Sequence, residues 1–333
     1  MSKVFLTEVI IIRILLIILL VFYHAFAIFS GAWEPLKDYP SVPIYAALDK
    51  LSYVGLLETF VFISGYILGH QITLKGESYF SSNKFYKKKF NRLLVPSVIF
   101  SVLYLLIFNT KDLFSWPSLY TIINGAGHMW FLPMLFWCFV WIAIIEKLKI
   151  GIHFKLILVF FISILSMRDI PLRIGYTMYY FLFFYIGYIF SKYRFTKKIN
   201  PKVVLIVIII LVVLLLWIKT DSLLLTIEFL KEPNDNLYRI ICALIWISIL
   251  FPISLFANKM PSKSFNYLVP LSECCFGVYI FQQFILKVIY SCDTITQNIN
   301  PYILPWCSFL ITLLLSLLFT KVLRGTKIGK KLL

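Results

Sequence analysis

The sequence predicts an all-α integral membrane protein, a bundle of about ten transmembrane helices with both termini in the cytoplasm. Composition is the first reason: 61% of the 333 residues are hydrophobic, only 14% are charged, and the mean hydropathy is +0.89. Spacing is the second, because apolar runs of span length follow one another with short polar gaps throughout. Charge is the third, because alternate gaps are rich and poor in Lys and Arg. An isolated strand cannot satisfy its backbone in lipid, so each run reads as a helix.

The runs fall at approximately 9–29, 52–70, 93–109, 128–146, 154–168, 175–190, 203–219, 238–257, 272–290 and 303–323. The fifth and sixth are short. The first reads VIIIRILLIILLVFYHAFAI from Val9 to Ile28, about twenty residues and long enough to cross a bilayer. It carries an arginine and lacks a small-residue cleavage site, so it reads as a span and not as a cleaved signal peptide. Within it Arg13 and His24 return to nearly the same helix face and lie about 16 Å apart along the axis. Ionisable residues inside a membrane point to function, and two on one stripe suggest a polar cleft along the helix. The alternative is that Arg13 snorkels to the headgroups and His24 caps the outer end.

With the N-terminus inside and ten spans threaded, most of the 32 Lys and Arg residues fall on the cytoplasmic side. They include Lys75, Lys84, Lys87, Lys88, Lys89 and Arg92 after the second span, and Lys321 to Lys331 at the end. The net charge of +17 is therefore largely a topology signal, and nucleic acid is a poor explanation for it. A single membrane domain over 1–333, with no soluble domain, is expected. No Walker loop, GxGxxG or Cys/His cluster is present, so nothing supports nucleotide chemistry or a metal site. Of the six cysteines, Cys292 and Cys307 lie near the outer face, where pairing is open but not compelled by spacing. No internal repeat is visible, which weakens an inverted-repeat transporter.

Several segments resemble one family in order. Arg13 and His24, with ten residues between them, are similar to the hallmark of the membrane acyltransferase-3 family, multi-span proteins that O-acylate sugars and other acceptors. Glu58-Thr-Phe60-Val-Phe62-Ile-Ser64-Gly65-Tyr66 resembles its acidic-x-FFxxSGY segment, and Lys89 to Pro96 its basic R-x-x-R-L-L-x-P entry to the third span. His128-Met129-Trp130-Phe131-Leu132-Pro133 resembles its HxWFLP-like segment, and Tyr180 to Tyr188 its aromatic FYxGY segment. Ser272 to Gln282 resembles its SxxSFGIYLxH segment. Two departures stand out: Lys89 replaces the usual Arg, losing the bidentate fork, and Gln282 stands where many members have His.

The resemblance implies a cytoplasmic acyl-CoA donor, acetyl-CoA above all, and an acceptor hydroxyl on an envelope polysaccharide or its lipid-linked precursor. It makes His24 the general base, since imidazole titrates near neutral pH, or a nucleophile that carries the acyl group. Glu58 would orient His24 or stabilise its imidazolium, or else form an ion pair with Arg13. Arg13, Lys84, Lys88, Lys89 and Arg92 would meet the CoA phosphates, against the plainer reading of positive-inside signalling or lipid contact. His128, Trp130, Arg168 and Arg173 are the acceptor-side candidates, although interfacial anchoring also explains Trp130 and a solvated loop the arginines. Ser64-Gly65 reads as close helix packing. Membrane lipids are expected partners, and a homo-oligomer or envelope-synthesis partners stay open. The expected location is the inner (cytoplasmic) membrane, multi-pass. The rival from another class is an exporter of a polysaccharide or lipid-linked sugar.

Overall fold

The computed structural model describes residues 6–37, 39–108, 115–167, 170–195, 201–220, 228–255 and 262–333, and among them all regular structure is helical. In chain order the helices are α1 (Thr7–Ser30), α2 (Pro43–Tyr53), α3 (Leu56–Lys75), α4 (Asn83–Lys89) and α5 (Val95–Phe108). Then come α6 (Trp116–Asn124), α7 (Phe131–Lys147), α8 (Ile152–Ile164), α9 (Ile174–Lys192) and α10 (Pro201–Thr220). The last are α11 (Glu228–Leu255), α12 (Ser262–Tyr290), α13 (Asp293–Asn298), α14 (Leu304–Gly325) and α15 (Gly329–Leu332). Prolines sit in the first turns of α2, α6 and α14, where the missing N–H costs nothing. Gly31 ends α1 in the left-handed region at φ 79°, a conformation glycine adopts freely.

Among the described residues, eight stretches are long and apolar enough to cross a membrane. The other two expected spans map to α8, of 13 residues, and to α10, whose described apolar part is 202–213. At 1.5 Å per residue α8 is only about 20 Å long, short of the roughly 30 Å hydrocarbon core. Its apolar run continues in sequence to Ser166, but the helix stops at Ile164, where Leu165 leaves helical geometry. The side chain of Asn236 then donates to the carbonyls of Ile164 and Ser166, taking up backbone acceptors that the helix end leaves open.

The chain divides into two compact units. One comprises Met1–Leu56 and Leu250–Leu333. There α1 packs on α2, α12 and α14 around Ala25, Phe26, Ile28, Leu286, Ile289 and Leu304. Aromatic hydroxyls close this cluster: Tyr290 donates to the Ala25 carbonyl, Tyr39 to that of Thr296 at 2.8 Å, and Tyr45 to that of Tyr302 at 2.9 Å. Cys292 and Cys307 are both free thiols.

The other unit, Leu57–Ile249, is organised by the approach of α3 to α9. A methyl group added at Gly65 would overlap the carbonyl of Phe184, one at Gly69 that of Tyr188, and one at Gly187 that of Phe62. Gly65 and Gly69 form a G-xxx-G spacing that lets two backbones meet, the main source of helix affinity where lipid is as apolar as the helix. The packing reading of Ser64-Gly65 is therefore correct. From Glu58 on Tyr179 through Gly65 on Phe184 to Gly69 on Tyr188 the contacts ascend along both helices, so α3 and α9 run parallel. The expected consequence is sharp. Gly65→Leu or Gly187→Leu should abolish a monodisperse, thermally cooperative protein in detergent. Gly325→Ala, whose added methyl meets nothing within 4 Å, should melt within a degree or two of the parent.

Candidate active site

In the first unit, α1 carries Arg13 and His24 toward α12. His24 is 8% exposed, and its Nε2 lies 3.2 Å from the amide nitrogen of Gln283. With Gln283 donating there, the neutral ring holds its proton on Nδ1, and Nε2 is the basic nitrogen. Tyr23 and Trp33 flank the imidazole at 4.9 and 5.8 Å between ring centres. Arg13, half-buried, is within electrostatic reach of Cys275 on the same α12. Cys275 and Gln283 are two turns apart, so the polar stripe of α1 lies along one helix. Gln282, the position singled out by the sequence, is fully buried, and neither amide atom has a hydrogen-bond partner among the described residues. The partner of the histidine is its neighbour. Asp49 of α2, also fully buried, lies near Ser30 and Tyr23.

In the second unit, Glu58 is 5% exposed on α3. Tyr179 of α9 donates its hydroxyl to Glu58 Oε1 at 3.1 Å. Arg239 of α11 approaches the same oxygen at 3.9 Å and lies over the Tyr179 ring at 4.9 Å. The glycine seam fixes this meeting, since Glu58 stands about two turns before Gly65 and Tyr179 about one and a half turns before Phe184.

One end of this unit holds the acceptor-side candidates. His128 is buried in a 3-10 turn, Gly127–Trp130, that is tied to α5 by the Ala126 N–H donating to Ser101 Oγ at 2.9 Å. Trp130 packs on Tyr176 and Tyr180 at 4.9 and 6.0 Å. Arg173 immediately precedes α9 and lies over Trp130 and Tyr176. Trp130 and Arg173 therefore meet, whereas Arg168 lies outside the described residues.

The opposite end is basic. Ser82 caps α4 by accepting from the Lys84 N–H at 3.2 Å, and Phe85 buries the helix's inner face. Lys84 and Lys88, four residues apart on α4, share a solvent-facing side, and Arg92 in the π-helical turn that follows is exposed as well. Lys89 is turned away from them, its Nζ over the Phe139 ring at 3.6 Å. The motif pair Lys89 and Arg92 thus splits between two environments.

The acyltransferase-domain family profile matches residues 6–323, essentially the whole chain. The chain belongs to the acyltransferase-3 family. No curated protein gives a match, and no solved structure does. The membrane acyltransferase assignment thus rests on a match that spans both units. Among the described residues of this acyltransferase, no three His, Cys, Asp or Glu side chains converge as a metal site would require.

Sequence reading missed three features of the acyltransferase. Gln283 and Arg239 had no signal, since each acts across a helix pair. The third is a buried network at the basic end: Glu146 of α7 accepts from Lys192 at 2.8 Å, Tyr188 at 2.9 Å and Tyr185 at 3.2 Å, with Lys155 3.5 Å away. Lys192 also reaches the exposed Glu77 at 2.9 Å. A glutamate on an apolar helix near several lysines was the available hint. Removing Glu146 leaves the buried Lys155 without its carboxylate and Lys192 with only the exposed Glu77, at a cost of roughly 3 kcal/mol or more. Glu146→Ala should therefore lower the melting temperature by many degrees, while Glu77→Ala should barely move it.

Proposed function

We propose that this membrane acyltransferase takes an acetyl group from cytoplasmic acetyl-CoA and places it on a hydroxyl of a cell-envelope polysaccharide or its lipid-linked precursor, in the inner membrane. The observation that carries this reading is the buried His24 with Nε2 presented to Gln283, in a chain of this family. Nothing in the packing of an inert span calls for that arrangement, since a buried imidazole costs desolvation and an ordered partner.

In the reaction, Nε2 accepts the acceptor hydroxyl's proton as the oxygen attacks the thioester carbonyl. The tetrahedral intermediate collapses, the C–S bond breaks, and the imidazolium returns the proton to the departing CoA thiolate. Gln283 orients the ring before the attack and yields Nε2 to the incoming hydroxyl. The roughly 16 Å between Arg13 and His24 suits an extended pantetheine arm along α1, with Arg13 at its entry. The exposed Lys84, Lys88 and Arg92 suit a polyanion, and their contacts to CoA phosphates would be charge-assisted. Lys89, held on Phe139, supports that surface from behind. Glu58 is the second catalytic group, its carboxylate fixed by Tyr179 and Arg239. The lysine-rich end of the second unit faces the cytoplasm, and the end with Trp130 and Arg173 faces out.

The test uses membranes carrying matched amounts of the parent or His24→Ala, supplied with radiolabelled acetyl-CoA, with label in envelope glycan counted after mild alkaline ester release. Alkali-labile label should appear with the parent and fall by at least about a hundredfold in His24→Ala. Equal label in both removes His24 from the mechanism. Label in neither, with altered glycan export, favours the exporter.

A further inference from the structure

A cavity of about 140 Å³ opens at the end of the second unit that carries Arg173, between α6 and the start of α9. Tyr120, Thr121, Asn124, Ile170, Arg173 and Tyr176 line it. A single water needs only about 10–15 Å³ of such space, so the opening admits a ligand on the scale of one sugar ring.

Arg173 is the charged group of this cavity, and it is built in. Its Nε donates to the Asn124 carbonyl at 2.9 Å. Its guanidinium plane lies 5.4 Å from the Tyr176 ring centre and 5.9 Å from that of Trp130. One N–H is thereby committed, and the guanidinium rests beside two rings whose own centres are 4.9 Å apart, which aims the two terminal NH₂ groups. Among the described residues these have no acceptor, and no carboxylate pairs with the side chain. Burial pulls the guanidinium's pKa down from its usual value, a mark of the cost of keeping this cation half out of water, though an arginine stays charged throughout. A fixed fork of donors with no anion among the described residues is matched by a carboxylate or a phosphate, which accept two parallel N–H bonds.

The backbone at this corner is also committed. Leu172 and Arg173 both sit in the left-handed region, at φ 58° and 60°, where non-glycine residues cost of order 1 kcal/mol each. The turn holds Arg173 at the N-cap of α9, whose positive dipole end adds to the attraction for an anion. The rest of the lining has the features of a sugar site. Tyr120 is 52% exposed and with Tyr176 offers aromatic faces to the C–H side of a pyranose. Thr121 donates its hydroxyl to the Pro117 carbonyl at 2.8 Å, leaving its oxygen free to accept from a sugar hydroxyl.

We infer that this cavity is an acceptor-recognition subsite for a saccharide unit bearing an anionic group, carboxylate or phosphate, which Arg173 grips bidentately while Tyr120 and Tyr176 flank the ring. The inference rests on the transferase reading, and it names the acceptor class that reading leaves open.

Binding to the purified full-length protein in detergent provides the test, by calorimetry with three probes: a hexuronate disaccharide, a hexose phosphate and a neutral disaccharide. At least one acidic probe should bind about tenfold or more tightly than the neutral one, and the better of the two identifies the anion. R173Q should erase that preference, R173K should keep part of it, and Y120A, altering an exposed ring, should weaken all three probes without changing the melting temperature. Equal binding of acidic and neutral probes, no saccharide binding at all, or an R173Q protein that melts normally and keeps the preference each overturns the subsite. Acetyl transfer measured on the same preparations separates the two readings. Transfer with no preference for acidic acceptors removes the subsite alone, and an Arg173-dependent acidic preference without transfer from acetyl-CoA removes the transferase chemistry alone.

Discussion

Backbone contact between α3 and α9 is the constraint on which the second unit depends. Within lipid no hydrophobic force draws two apolar helices together, so affinity comes from close packing and from polar pairs. Gly65, Gly69 and Gly187 remove the side chains that would hold the backbones apart. Their positions lock the axial register of two parallel helices. That register sets Tyr179 on Glu58. It also sets the depth at which Tyr185 and Tyr188 emerge to meet Glu146. A one-residue slip would rotate each of these hydroxyls by about 100° and leave two buried carboxylates without their donors.

Both units hold charged and hydrogen-bonding side chains inside an apolar bundle, each by pairing its key groups across helices. In the first unit Gln283 meets His24, and a tyrosine hydroxyl meets the Ala25 carbonyl one residue on. In the second the two ends have opposite characters. The basic end pairs Glu146 with lysines and leaves a separate exposed face of cations. The other end leaves a single oriented arginine against aromatic rings. A saturated ion pair stabilises, whereas an unsaturated oriented cation can recognise. The difference between Lys192, which has two carboxylates, and Arg173, which has none among the described residues, is the difference between a structural and a binding charge.

Much of this was legible in the sequence. The helical membrane class followed from composition, and the family followed from ordered motifs that the profile match confirms. The Arg13/His24 stripe was readable because it lies within one helix, where 3.6 residues per turn fixes the face. The same spacing rule placed Ser64-Gly65 in packing. What could not be read depends on phases between helices. The residue opposite His24 is Gln283 and not Gln282, a 100° difference that nothing local to α12 decides. Arg239 of α11 reaches Glu58 of α3 beside Tyr179 of α9, and nothing local places Lys155 and Lys192 on Glu146. The motif's Lys89 looked equivalent to Arg92, but a π-helical turn at Phe90–Leu94 changes the rotation between them. The shortness of α8 also has a local cause, since the helix stops at Ile164 beside Asn236.

The central claim is that His24 acts as a base through the nitrogen that Gln283 holds. The pH dependence of kcat/KM for the acceptor, compared between the parent and Gln283→Leu, tests it most directly. The account predicts a one-proton loss of rate toward acid in the parent. It also predicts that Gln283→Leu shifts this limb and lowers kcat, while KM for acetyl-CoA stays the same. A profile without an acid limb, or one that Gln283→Leu leaves in place with kcat unchanged, would contradict it.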